Sequence, residues 1–162
     1  MNWVERILRH LLDHDVKFIV VGMMAATFQK SPLRTEDVDI CPEGSNSNLA
    51  RLAEALNALG AEEWEPHIGD PVPRTWTAEL LKADEFWLLV IDGERLDIVF
   101  VPAGTRGYRD LAKDAVDLEV DGMVITVASL RDIIRSKETL GREKDRAQLP
   151  TLRRLLALRD EQ

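Results

Sequence analysis

Residues 18–40 read FIVVGMMAATFQKSPLRTEDVDI, and this stretch decides the fold. Its opening run is short, apolar and rich in β-branched residues, which predicts a buried strand over 16–21. Gly22 punctuates it, and 23–28 reads as a short, mostly apolar helix. Ser31-Pro32 closes that helix, because proline disfavours helical backbone in the residue before it. Asp37 and Asp39 then alternate with Val38 and Ile40, the pattern of a strand with one acidic and one apolar face. A glycine between a strand and a helix lets a phosphate approach the backbone, and the helix N-terminus supplies free N–H groups. A plain turn needs the same glycine, so Gly22 gains meaning only from its company.

The acidic pair supplies that company. Residues i and i+2 of a strand share a face, so the carboxylates of Asp37 and Asp39 are expected to be neighbours. Like charges that close repel unless a cation or an arginine lies between them. Oxygen-only donors favour Mg²⁺ or Mn²⁺. The competing explanation is a solvated strand edge. Asp97 changes the balance. It sits in the apolar run Arg95-Leu96-Asp97-Ile98-Val99-Phe100, where an unpaired carboxylate is costly. If that strand lies beside the Asp37–Asp39 strand, three carboxylates converge, the donor set of two-metal phosphoryl transfer. The alternative is an ion pair between Asp97 and Arg95 on one strand face.

Around these residues the pattern alternates between helix and hairpin. Asn2 is expected to cap a helix carrying Val4, Ile7, Leu8, Leu11 and Leu12. Asn46 or Ser47 caps a helix that ends at Gly60. Three prolines and a glycine over 66–73 predict a surface loop, and Thr77 caps a short helix over 79–82. Asp92-Gly93 and Asp121-Gly122 each separate two apolar runs, predicting hairpins over 86–101 and 116–127. Residues 108–115 read as helical. Ser129-x-x-Asp132 opens a helix that stops at Gly141. A short helix over 144–149 and a last one starting at Pro150 complete the reading. The fold class is α+β: a mixed, partly antiparallel sheet flanked by helices. Residues 1–128 form the core and 129–162 a helical segment packed on it.

Composition bounds the function. The 162 residues suit one domain; 45% are hydrophobic and 31% charged, an ordinary globular balance. The net charge of −8 opposes a general role in coating DNA or RNA. The charge is uneven, however, with nine Lys/Arg against four Asp/Glu over 131–159. The longest apolar run is too short to cross a bilayer, and no signal peptide is read, so no membrane is expected as a partner. One cysteine, Cys41, cannot form an internal disulfide, and a cytoplasmic location is expected. Cys41 reads as a small buried hydrophobe, and the three histidines show no ligand spacing. The four tryptophans, Trp3, Trp64, Trp76 and Trp87, read as core and rim packing, and Trp76 in the proline-rich region is the one held open for stacking on a nucleobase.

Taken together, strand, Gly22, helix, Asp37-x-Asp39 and a third Asp on a later strand resemble the nucleotidyltransferase superfamily. The segment SLRDIIRSKETLGREKDRAQLPTL is similar to the bacterial toxin-type branch, the abortive-infection and mycobacterial toxin nucleotidyltransferases. The resemblance spans residues 16–156. It implies that Asp37 and Asp39 bind the metal escorting a triphosphate, and that Asp97 shares the second metal and helps deprotonate the attacking hydroxyl. Gly22 and the next amides would cradle phosphate, and Lys137 would neutralise it. Arg34 and Lys144 are further candidates for nucleotide or acceptor contacts. The implied reaction moves a nucleoside monophosphate from an NTP to a hydroxyl, with Mg²⁺ or Mn²⁺ as cofactor. The implied acceptor is an RNA 3′ end such as tRNA, with a protein or a small molecule as the alternatives, and a cognate antitoxin is the implied partner. Met23 departs from the family's second small residue. That departure raises the other reading, a catalytically silent binding or regulatory module on the same fold.

Overall fold

The local signals become seven helices and eight strands over residues 2–161, the residues described by this computed structural model. Asn2 accepts a hydrogen bond from the Glu5 N–H and opens α1 (Trp3–Asp13), which buries Ile7, Leu8 and Leu11. β1 (Phe18–Val21) is buried at every position and runs straight into α2 (Gly22–Phe28). β2 (Val38–Pro42), α3 (Asn46–Ala58), β3 (Glu62–Glu65), β4 (Asp70–Pro73) and α4 (Ala78–Lys82) follow. Two hairpins come next in β5 (Phe86–Ile91) with β6 (Glu94–Val99), and β7 (Val116–Val120) with β8 (Met123–Val127). α5 (Tyr108–Ala112) lies between them, and α6 (Leu130–Leu140) and α7 (Glu143–Asp160) end the chain. Both hairpin turns place their Asp-Gly pair at positive φ, 52° and 80° in one and 49° and 78° in the other. Such turns match the right-handed twist of the flanking strands.

The strands form one sheet in the order β4-β3-β5-β6-β2-β1-β8-β7, parallel only at β1·β8 and β2·β6 and antiparallel elsewhere. Strand alternation divides its centre into two unlike faces. On one face Val38, Leu96 and Leu89 make a row, and Ile40, Ile98 and Trp87 the next. All six are buried in the core. On the other face Asp39, Asp97 and Leu88 make a row, followed by Val99 and Phe86. That second face carries the candidate site.

The expected loop over 66–73 is instead half of a β3–β4 hairpin. β4 is an edge strand, where Pro71 and Pro73 cost little because one side of the strand has no ladder to join. The two expected C-terminal helices are one. Pro150 lies inside α7, which continues through it with Leu149 and Leu152 buried on its inner side. Packing outweighs the lost backbone hydrogen bond there. The cap of α3 is Ser45, one residue earlier than expected. α5 stops at Ala112, short of the expected 115.

Candidate active site

A cavity of about 820 Å³ opens over the acidic face of the sheet. Asp37, Asp39, Asp97, Gly22, Met23, Arg34, Lys137 and Lys144 all line it. The chain brings them there by two routes. β2 and β6 are parallel neighbours, and Asp39 pairs in register with Asp97. Adjacent strands lie about 4.8 Å apart, so two carboxylates from positions 58 residues apart in sequence stand side by side. On the other side Val21 pairs with Asp39, which sets Gly22 against the same carboxylate.

Gly22 has φ +67°, a conformation that strains any residue with a Cβ. A Cβ at this position would also meet Asp39 Oδ2 at 2.7 Å. Only glycine lets the Asp39 carboxylate lie against the start of α2. Met23 is 8% exposed and belongs to the core, with part of its surface on the cavity wall.

The electrostatics of Asp39 follow from this crowding. Burial, then the charges of Asp97 and Asp37, raise its pKa to about 7 despite Lys137 and Lys144 nearby. Asp97 is also raised, mainly by burial. Arg95 opposes that rise by donating to Asp97 Oδ1 at 3.1 Å. The ion pair with Arg95 and the place beside Asp39 are therefore both real. Asp37 lies on the exposed segment just before β2 and not in the ladder itself.

The opposite wall is α6 with the start of α7. Lys137, 7% exposed, donates to Asp145 Oδ1 at 3.2 Å. Arg142 donates to both oxygens of Asp145, at 2.6 and 3.1 Å. Asp145 is fully buried, and these donors hold its pKa down at about 2. Lys144 enters no ion pair among the described residues. Arg142, not singled out from the sequence as a site residue, also lines the cavity. Its sequence signal was the spacing Arg142-x-x-Asp145, which brings the two side chains onto neighbouring positions of one helical turn.

Trp76 does not serve the cavity. It is 2% exposed, its Nε1 donates to the Ala61 carbonyl at 2.9 Å, and its ring meets Trp87 edge-on. Cys41 is buried and bonded to the Phe100 carbonyl, and burial pushes its thiol up to about 12.

Among the described residues no three carboxylate, imidazole or thiol groups sit close enough to enclose a metal ion as they stand. The donor chemistry nevertheless fits a hard divalent cation. It is oxygen-only, and Asp39 accepts no hydrogen bond within the described chain. Its proton affinity is raised by burial and then by the neighbouring carboxylates, whose repulsion a cation would relieve. No helix of the described residues is long and apolar enough to cross a membrane.

The fold is that of nucleotidyltransferases. A Thermotoga maritima protein, TM1012, whose crystal structure carries a provisional nucleotidyltransferase assignment, superposes with a TM-score of 0.58 at 23% identity, over 97% of this chain and 96% of its own. The antibiotic-resistance factor ANT(2″)-Ia, solved in solution, gives a TM-score of 0.52 at 15% identity over 98% and 93% of the two chains. Its crystal structure with adenylyl-2″-tobramycin gives 0.53 at 15% identity over 93% and 94%. No family model matches this chain, and no curated protein matches it.

Proposed function

We propose that this protein is a divalent-metal-dependent nucleotidyltransferase. It transfers a nucleoside monophosphate from an NTP to a hydroxyl and releases pyrophosphate. The observation that carries this reading is the register of Asp39 with Asp97, with Gly22 shaped to receive Asp39 and three cations on the facing wall. Asp37, Asp39 and Asp97 are the residues that would hold Mg²⁺ or Mn²⁺. The ion, when bound, supplies charge neutralisation at the triphosphate.

The chain's own contributions are separable. Asp39 and Asp97 are held by the sheet ladder, so their carboxylates are preorganised. Arg95 fixes one oxygen of Asp97 and leaves the other for the acceptor hydroxyl proton. Lys137 is tethered by Asp145 on the cavity wall, where it would neutralise phosphate charge. Lys144, free of such pairing, and Arg34, on the cavity wall before Asp37, are the further groups for nucleotide or acceptor contacts. Met23 keeps its side chain in the core, so a phosphate at the start of α2 need not displace it. This supports catalysis over the silent-module reading. For the acceptor we favour an RNA 3′ end, because the basic excess of 131–159 falls on the helices that wall the cavity.

The test is direct. With Mn²⁺, each α-labelled NTP and total tRNA, the wild type should transfer label, and Asp39→Asn and Asp97→Asn should each lose about 100-fold or more. Label moving to protein instead of RNA would change the acceptor. No transfer from any NTP to any acceptor would sink the enzyme reading.

A further inference from the structure

Phe86 opens β5, lines the cavity and is 54% exposed. Its chain neighbour Trp87 points to the other face, where it is 7% exposed and donates to the Leu81 carbonyl. Strand alternation thus sends one aromatic to the core and the other to the site. Phe86 pairs with Val99, and Leu88 pairs with Asp97. The apolar row of Val99 and Phe86 therefore lies one strand repeat, about 6.5 Å, from the row of Asp39 and Asp97. From α6, Leu140 adds a third apolar wall, 45% exposed.

A ligand filling both rows must be anionic or metal-bound at one end and flat and apolar at the other. The carboxylate row with its facing cations suits phosphate, and the Phe86 ring suits a heterocycle. The spacing is on the order of that between a nucleotide's phosphate and its base. We infer that Phe86 and Val99 form a stacking platform for a nucleobase. That base belongs either to the donor NTP or to the nucleotide bearing the acceptor hydroxyl. The inference rests on the nucleotidyl-transfer reading and names the substrate class at the apolar end of that site.

The experiment titrates wild type, Phe86→Leu and Phe86→Tyr by calorimetry in Mn²⁺ with the four NTPs, inorganic tripolyphosphate and a single-stranded hexaribonucleotide. Phe86→Leu keeps the apolar bulk and removes the ring. A donor base on the platform predicts NTP binding weakened roughly fivefold or more, with tripolyphosphate unchanged. An acceptor base predicts the same loss for the hexaribonucleotide, with NTP unchanged. Phe86→Tyr should bind as the wild type does in either case. Phe86→Leu matching the wild type with every ligand would overturn the platform, as would an equal loss for tripolyphosphate. Failure of the wild type to bind any NTP or tripolyphosphate would instead remove the nucleotidyl-transfer reading, and the platform with it.

Discussion

Asp39 and Asp145 are both acidic side chains placed beside Lys137, yet their fates are opposite. Asp145 is fully buried and receives Lys137 and Arg142, and its pKa falls to about 2. Asp39 faces Asp97 and Asp37, and its pKa rises to about 7. One carboxylate is satisfied by its own chain and serves the fold. The other is left wanting positive charge, which is the property the proposed metal site would use. Burial raises the pKa of both and is the largest cause at Asp39; the carboxylates around Asp39 add to it, whereas the donors Arg142 and Lys137 overcome it at Asp145.

The largest effect should come from breaking the satisfied side. Asp145→Ala leaves Lys137 buried without its partner and should cost about 3–5 kcal/mol of unfolding free energy, read by urea denaturation. A loss below 1 kcal/mol would mean that the α6–α7 junction does not depend on this pair. The same pair sets an acid limit. Because the folded pKa lies below the unfolded one, its stabilisation is present above about pH 4 and is lost as pH falls toward 2.

Next is Gly22→Ala. The positive φ alone costs about 1–2 kcal/mol, and the contact with Asp39 Oδ2 forces the carboxylate to move. Thermal unfolding should show the destabilisation, and any stabilisation by Mn²⁺ should shrink with it. An unchanged Mn²⁺ response would separate Gly22 from the carboxylate row.

Asp39→Asn should act in the opposite direction on stability. The folded pKa of Asp39 lies above its unfolded value, so the folded state holds the proton longer. Stability then falls as pH rises from about 4 to 7, and the penalty is complete above 7. Removing the charge should stabilise the metal-free protein by about 1–2 kcal/mol at pH 8 and not at pH 4. It should also abolish stabilisation by Mn²⁺, which acts by mass action on the folded state. Equal melting temperatures for wild type and variant at pH 8 would contradict the crowding described for this row.

The smallest change is Lys144→Ala. This exposed, unpaired cation should leave stability within about 0.5 kcal/mol. NTP binding in Mn²⁺ should weaken severalfold, because a charge-assisted contact to phosphate is lost. Unchanged NTP affinity would return Lys144 to the ordinary surface.

Much of the fold was legible because its signals are local. The caps at Asn2, Thr77 and Ser129, the stop at Gly141 and both Asp-Gly turns act within a few residues. The misreadings occurred where distant packing outweighs local preference. Pro150 is carried inside α7 by buried Leu149 and Leu152. The proline-rich 66–73 region pairs as an edge because β3 offers it a ladder on one side. Trp76, held open for stacking on a nucleobase, instead packs in the core against Trp87 with its Nε1 on the Ala61 carbonyl, in line with the core reading of the tryptophans.

The same division holds for the site. The sequence by itself determined that a strand, Gly22 and a helix precede an acidic strand, and that an isolated aspartate lies in a later apolar strand. Period-two alternation and turn chemistry need only neighbouring residues to act. Tertiary structure alone decided that β6 lies parallel to β2, so that Asp97 reaches Asp39. It also decided that Lys137 turns to Asp145, and that Phe86 and not Trp76 faces the cavity. Those outcomes depend on which strands become neighbours, and that choice belongs to the burial of the whole core rather than to any one segment.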